Sequence, residues 1–286
     1  MTYQSIIQRL TPIYGIGEAR AITRLVLDEC FSLSLTDITL GKVTELSTND
    51  CQELEKIIVR LENNEPVQYI LGYQDFCGHR FSVGPGVLIP RPETELLIHN
   101  VIQAMANDAG KAGNSRILDI GTGSGCIAIA IALECQEAMV EAWDISDDAL
   151  RIARKNADSL GARVNFTRVD ILSEQTFPAE IGKESLDIIV SNPPYICNSE
   201  VADMQRNVLD YEPDAALFVP DDDPLLFYRA IAAFGRRTLR DGGRIFFEIN
   251  RAYGNEVCSM LNDLCYSNIQ LLNDQFDNPR IVICSK

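Results

Sequence analysis

The tetrapeptide Asn192-Pro193-Pro194-Tyr195 follows an apolar run, Leu186 to Ser191, that reads as a strand. Two consecutive prolines fix φ twice and remove two N–H donors. The residue before a proline is pushed out of the helical region. The turn is therefore stiff and leaves carbonyls unpaired. The Asn192 side-chain oxygen and one of those carbonyls could together accept both hydrogens of an NH2 group. Tyr195 could stack on a planar group, such as an amide or a base. An amide nitrogen conjugated to its carbonyl is a weak nucleophile. Two acceptors would hold it in place and favour the charge that develops as its lone pair is used. Aligning such a nitrogen with an electrophilic carbon can contribute up to ~7–11 kcal/mol. No strong base is needed before transfer. That suits a chain with two histidines and no evident Ser/His/Asp or Cys/His set.

The second stretch is Leu118-Asp119-Ile120-Gly121-Thr122-Gly123-Ser124-Gly125-Cys126-Ile127-Ala128, between a strand and a helix. Glycines let the chain take positive φ and let a ligand approach the backbone. The helix N-terminus offers unpaired N–H groups to an anion such as a carboxylate. Asp144 ends the next strand, where a carboxylate can accept both hydroxyls of a ribose. Dinucleotide sites prefer GxGxxG/A. Here the spacing is GxGxG, with Cys126 in the last position of the dinucleotide pattern. That spacing is commoner for S-adenosylmethionine, whose methionine carboxylate needs less room than a pyrophosphate. On the motif alone a methyl donor, a dinucleotide and a ligand-free turn all stay open, although a bare turn explains one glycine and not three. Asp170 ends the third strand, beside Ile171 and Leu172. An acid and an apolar residue there could bond the adenine amino group and pack on the ring; equally, an acid after a strand is often just a helix cap.

The elements that must position these residues can be read along the chain. The first ~65 residues are helical in pattern, with an apolar stripe at Ala19, Ala21, Ile22, Leu25, Val26 and Leu27. A second stripe at Leu54, Ile57, Ile58 and Leu61 follows Thr48, Asn49 and Asp50, candidate N-caps. A small helical bundle explains every residue there, so its part is recognition rather than chemistry. Short β-rich pieces broken by Gly78, Gly84 and Gly86 suggest a hairpin-like connector, and Glu93 to Ala106 reads as a helix. From Arg116 onward strands and helices alternate. RILDI, AMVEAWDI, ARVNFTRVD, LDIIVSN, RIFFEIN, NIQLLN and RIVICS are the strands. The helix Asp147 to Leu160 is framed by Ser146 as N-cap and Gly161 as stop. Alternation predicts a mostly parallel sheet with helices on both faces. Only Asp274 to Pro279 separates the last two strands, too few residues for a parallel crossover, so they should form an antiparallel hairpin. The expected division is a helical substrate-recognition domain at 1–72, a connector at 73–95 and a catalytic domain at 96–286.

Composition sets limits. The chain has 286 residues, 46% hydrophobic and 23% charged, as in ordinary globular proteins. Acidic residues outnumber basic ones, 41 against 25, for a net charge of −16. Holding duplex DNA needs clustered Lys and Arg, so direct nucleic-acid binding is disfavoured. Nine cysteines form no CxxC pair and only His79 and His99 could add imidazole, so no metal site is expected. The thiols read as reduced and mostly buried, in a cytoplasmic protein. The N-terminus lacks a signal pattern, and no apolar run reaches the ~18 residues of a membrane span.

GTGSG, Asp144 and NPPY together resemble the N5-glutamine methyltransferases that modify class I peptide-chain release factors (the HemK/PrmC type). Pro66-Val67-Gln68-Tyr69-Ile70-Leu71-Gly72 with Phe76 is similar to that family's connector, Ile89-Pro90-Arg91-Pro92-Glu93-Thr94-Glu95 to its IPRPETE-like block, and Glu212-Pro213 with Ala216-Leu217 to its EP…AL block. The resemblance covers nearly the whole chain. It implies an α/β, Rossmann-like class I methyltransferase fold: a seven-stranded, mostly parallel sheet with an antiparallel terminal strand, plus a helical N-terminal domain and a β-hairpin connector. It implies S-adenosyl-L-methionine as cofactor, S-adenosyl-L-homocysteine as product, and the glutamine of a release factor's Gly-Gly-Gln loop as substrate, with the enzyme a monomer. Carried over, Gly121, Thr122, Gly123, Ser124 and Gly125 form the cofactor loop, Asp144 binds the ribose, and Asp170 and Ile171 border the adenine. Asn192, Pro193, Pro194 and Tyr195 are the catalytic residues that hold the amide, with Asn192 also bordering the cofactor. Two places depart from the family pattern: Phe218 to Pro224, and Asn250 with Tyr253. The alternatives are a glutamine methyltransferase acting on a ribosomal protein, an adenine-N6 nucleic-acid methyltransferase that flips its base, and a cofactor-binding adaptor without catalysis.

Overall fold

A computed structural model of the chain describes residues 1–107, 115–179 and 181–286. Two compact units are present, Met1–Tyr73 with Met204–Tyr211, and Gln74–Asp203 with Glu212–Lys286.

The first unit holds α1 (Tyr3–Phe31), α2 (Leu35–Thr39), α3 (Thr48–Glu62) and α4 (Val67–Leu71). α1 kinks at Gly15, which sits at φ 73° and ψ 162°, three residues after Pro12. A proline inside a helix removes a backbone bond and a glycine tolerates the resulting positive φ. Leu10, Val26 and Leu27 of α1 bury against Leu54, Ile58 and Leu61 of α3. Arg9 bonds Glu62 and Glu55 at 2.8 Å each, and the Tyr14 hydroxyl donates to the Leu61 carbonyl at 2.7 Å. The N-cap of α3 is Ser47, accepting from the Asp50 N–H; Thr48, Asn49 and Asp50 lie inside the first turn. The cap thus lies one to three residues before the candidates Thr48, Asn49 and Asp50.

A hairpin follows, β1 (Tyr73–Phe76) and β2 (His79–Ser82), which from Gln74 onward belongs to the second unit. Its two-residue turn puts Cys77 at φ 48° and Gly78 at φ 74°, the double positive φ of a type I′ turn. Then follow α5 (Thr94–Asn107), β3 (Arg116–Ile120), α6 (Cys126–Glu134), β4 (Met139–Asp144), α7 (Asp147–Leu160), β5 (Val164–Arg168), β6 (Leu186–Ser191) and β7 (Ile196–Cys197). α8 (Arg206–Leu209) lies in the segment that belongs to the helical unit. β8 (Phe218–Val219), α9 (Leu226–Thr238), β9 (Leu239–Glu248), α10 (Gly254–Asp263), β10 (Ser267–Asn273) and β11 (Pro279–Ser285) complete the chain.

The seven-stranded sheet runs β10-β11-β9-β6-β3-β4-β5. From β9 to β5 all neighbours are parallel, whereas β11 is antiparallel to both β9 and β10. The expected antiparallel hairpin is present, and the last strand in sequence is inserted inside the sheet. All six positions of central β6 are buried, as helix-covered parallel strands require. Two cores result. One, with Ile127, Ile129 and Val190, lies under α5, α6 and α7. The other, with Trp143, Tyr228 and Phe247, lies under α9 and α10. Ser146 caps α7 through the Ala149 N–H at 3.2 Å, and Gly161 ends it in the left-handed region, as the sequence predicts.

All nine cysteines are free, but only Cys126, Cys197 and Cys284 are buried, fewer than expected. Among the described residues no helix is long and apolar enough to cross a membrane, and no group of three or more His, Cys, Asp or Glu could hold a metal.

Candidate active site

The parallel strands β3, β4, β5 and β6 end on one edge, where a crevice forms in folds of this kind. Each of the singled-out segments leaves one of these ends. Gly121 to Gly125 links β3 to α6, Asp144 closes β4, Asp170 and Ile171 follow β5, and Asn192 to Tyr195 follow β6.

The glycine loop is held open by its backbone. Gly121, Gly123 and Gly125 stand at φ 77°, 56° and 83°, where other residues are strained. The Gly121 and Thr122 N–H groups both donate to the Trp143 carbonyl at 2.9 Å. A Cβ on Gly125 would fall 2.9 Å from Ile129 and 3.0 Å from Ala153, so that glycine lets α6 and α7 approach. On Gly123 a Cβ would meet nothing within 4 Å. Asn156, 1% exposed, fastens the loop from below: its Nδ2 donates to the Ser124 carbonyl at 2.9 Å and to the Ser82 carbonyl at 3.0 Å.

Three carboxylates bear on this region in different ways. Asp144 accepts from the Gly123 N–H at 2.8 Å and from the Ser146 N–H at 2.9 Å. Burial pushes its carboxyl up, against those backbone donors. Asp170 turns back on itself, its carboxylate accepting from the Leu172 N–H at 2.9 Å, while Ile171 packs on the second core. Asp119, two residues before Gly121, carries no sequence signal of its own. It is fully buried, accepts from the Thr122 hydroxyl at 2.6 Å, and has a second oxygen with no hydrogen-bond partner. Burial pushes its carboxyl up to about 7, against the lowering pull of the Thr122 hydroxyl and the nearby Ala128 N–H.

The tetrapeptide is pinned at several points. Tyr195 and Ile196 donate backbone N–H groups to the Leu217 carbonyl, and β7 pairs in parallel with β8. The Tyr195 hydroxyl points to Glu248 Oε1 at 3.4 Å, and the ring packs partly into the second core. Asn192 donates through Nδ2 to the Thr94 hydroxyl at 3.4 Å, and Thr94 donates to Glu248 Oε2 at 2.7 Å. The carbonyls of Asn192, Pro193 and Pro194 accept no hydrogen bond among the described residues. A Cβ on Gly121 would lie 4.0 Å from the Asn192 carbonyl, so the two motifs adjoin.

Several supports escaped the sequence reading. Arg91 pairs with Glu212 at 2.5 Å, and Glu212 also accepts from the Ile89 N–H at 3.1 Å. The IPRPETE and EP blocks are therefore two sides of one ion pair. Asn250, a departure from the family pattern, donates through Nδ2 to the Tyr195 carbonyl at 3.1 Å and to the Glu200 carboxylate. Tyr253 meets Cys197 Sγ at 3.4 Å, a contact that raises the tyrosine's pKa to about 12. In the other departure, Asp221 accepts from the Ser199 N–H and hydroxyl at 2.9 Å, bracing the stretch after the tetrapeptide.

Comparison with known proteins decides the family. The PrmC N-terminal domain model matches residues 2–72 and the methyltransferase small domain model matches residues 93–210. The release factor glutamine methyltransferase of Bacteroides thetaiotaomicron is 47% identical over 279 residues, 98% of this chain and 97% of that protein. The chain belongs to the release factor glutamine methyltransferase family. The protein of that name from Flavobacterium psychrophilum is 38% identical over 276 residues, covering 96% and 95% of the two chains. Among solved structures, a methyltransferase from Pyrococcus furiosus superposes with a TM-score of 0.51, over 73% of this chain and 89% of that one. At 16% identity that likeness is one of fold, and it confirms the class I methyltransferase architecture.

Proposed function

We propose that this methyltransferase places one methyl group on N5 of the glutamine in the Gly-Gly-Gln loop of class I peptide-chain release factors. One observation carries the reading. A stiff Asn-Pro-Pro-Tyr turn with unfilled acceptors lies beside an open glycine loop at the carboxyl edge of a parallel sheet.

When bound, S-adenosyl-L-methionine supplies an electrophilic methyl on a sulfonium and leaves as S-adenosyl-L-homocysteine. The residues present fit it. Gly123 faces open space, Asp119 keeps a buried unpartnered oxygen, and Asp144 stands at the end of β4 where a ribose would lie. Gly121, Thr122, Ser124 and Gly125 complete the cofactor loop, and Asp170 and Ile171 border the adenine. Asn192 Oδ1 and a carbonyl of the proline pair accept the two amide hydrogens, holding the nitrogen in line with the methyl carbon. As the N–C bond forms the nitrogen gains positive charge, which those acceptors stabilise; its proton leaves afterwards to water. Tyr195, anchored at both its hydroxyl and its carbonyl, forms the wall beside the amide. The helical unit recognises the protein substrate. One chain carries every segment of the site, which supports a monomer, and nine unpaired cysteines support a reducing cytoplasm.

The test is a three-way transfer assay with labelled S-adenosyl-L-methionine. The acceptors are an unmodified class I release factor, a ribosomal protein with an unmodified glutamine, and a DNA duplex containing adenine. Label is expected on the release factor. Label on the ribosomal protein or the duplex alone would replace this substrate.

A further inference from the structure

Glu248 and Thr94 are almost fully buried, 1% and 2% exposed. Glu248 ends β9 and Thr94 begins α5, and 154 positions separate them in sequence. Together they meet both polar side chains of the tetrapeptide.

A threonine hydroxyl has one hydrogen to give. Here it goes to Glu248 Oε2 at 2.7 Å, so toward Asn192 the oxygen of Thr94 can only accept. An amide has a donor end and an acceptor end of nearly the same shape. Only the donor end satisfies Thr94; Oδ1 placed there would face a lone pair. Nδ2 of Asn192 is the atom at 3.4 Å. Oδ1 is thereby turned away from Thr94, free to accept from a ligand. The same carboxylate takes the Tyr195 hydroxyl on its other oxygen. We infer that Thr94 and Glu248 are positioning residues that dictate which end of the Asn192 amide faces the substrate. The inference rests on the reading that Asn192 Oδ1 accepts from the substrate amide.

This direction of bonding can be reversed by chemistry. In Glu248→Gln an amide NH2 can donate to Thr94, whose hydrogen then turns toward Asn192 and asks for Oδ1. In Thr94→Val the selection disappears, because neither donor nor acceptor remains. Thr94→Ser keeps it.

The measurement is steady-state kinetics on the full chain with an unmodified release factor, together with the dissociation constant of S-adenosyl-L-methionine. Thr94→Val is expected to lower kcat roughly ten- to hundredfold, the scale of a misplaced reacting group, with the cofactor constant within a few-fold. Thr94→Ser should restore kcat to within a few-fold. Glu248→Gln should lower kcat, and Thr94→Val with Glu248→Gln should be no worse than the weaker single variant, because both act through one orientation. A purely structural tie would lower stability and leave kcat per folded enzyme unchanged. Unchanged kcat in Thr94→Val, or additive losses in the double variant, would overturn the inference. If Thr94→Val does not fold, failure of Thr94→Ser to retain kcat would do so. Asn192→Ala separates the two levels. Turnover in that variant would remove the underlying reading, whereas its loss beside a fully active Thr94→Val would remove only the positioning pair.

Discussion

At the residue scale the site is an arrangement of acids whose surroundings differ. Asp119, next to last in β3, and Asp144, last in β4, both lie beside the glycine loop, yet Asp119 is sealed and Asp144 is bonded to two backbone N–H groups. The sealed acid has a consequence for stability. Its carboxyl is raised to about 7, so between the ordinary carboxyl range near pH 4 and that value the folded protein holds a proton the unfolded chain has lost. More protons on the folded state means that stability falls as pH rises through this window and levels above it. In ligand-free protein, the unfolding free energy of wild type relative to Asp119→Asn should decline between about pH 4 and 7. Chemical denaturation at several pH values checks this, and a flat difference would contradict it. For Asp144 the proposed role is in holding the ribose of the ligand. Asp144→Ala should weaken S-adenosyl-L-methionine binding while turnover at saturating cofactor changes less; calorimetric titration with an unchanged dissociation constant would contradict the ribose assignment.

At the element scale, the segments after β6, at the start of α5 and before β8 are tied to one another by one ion pair and by hydrogen bonds. Arg91 to Glu212 is the clearest tie. Glu212 has a 1% exposed side chain, and Arg91 is about one-third exposed. Removing one partner of a fully buried pair costs about 3–5 kcal/mol because the other is left uncompensated. With Arg91 partly in water, Arg91→Ala is expected to cost about 2–3 kcal/mol, read by urea denaturation. A change near zero would show that Glu212 finds water or another donor. The sequence made the regular elements readable because their signals are local. Ser146 and Gly161 frame α7 within one helix length, and the short Asp274–Pro279 link allows only a hairpin. Pairing order was not readable: periodicity reports that β11 exists, not that it slips between β9 and β10. The same limit hid the supports of the site. Thr94 and Glu248 are 154 positions apart, and Ile89 and Glu212 are 123 apart. Nothing local distinguishes them from a helix cap and a surface acid. Asn250 stood out only as a departure, and its amide between Tyr195 and Glu200 explains why a side chain there is used.

At the scale of the molecule, the chain divides into two compact units, and the proposed division of labour gives chemistry to one and recognition to the other. The segment Met204–Tyr211, placed between the tetrapeptide and Glu212, packs with the helical unit, where the Tyr211 hydroxyl donates to the Asn63 carbonyl at 3.0 Å. The chain thus leaves the second unit after Asp203, beyond the NPPY turn, and returns to it at Glu212, the Arg91 partner. A net charge of −16 on such a molecule suits a protein substrate better than a phosphate backbone. The central claim is that the Asn192 turn presents its acceptors to a glutamine amide. The most direct measurement is site-resolved mass spectrometry of an unmodified class I release factor incubated with S-adenosyl-L-methionine and either wild type or Asn192→Ala, with cofactor affinity measured in parallel. The account predicts a single methyl on the Gly-Gly-Gln glutamine with wild type, none with the variant, and cofactor affinities within a few-fold. Equal methylation by the variant, or a methyl on another residue, would contradict it.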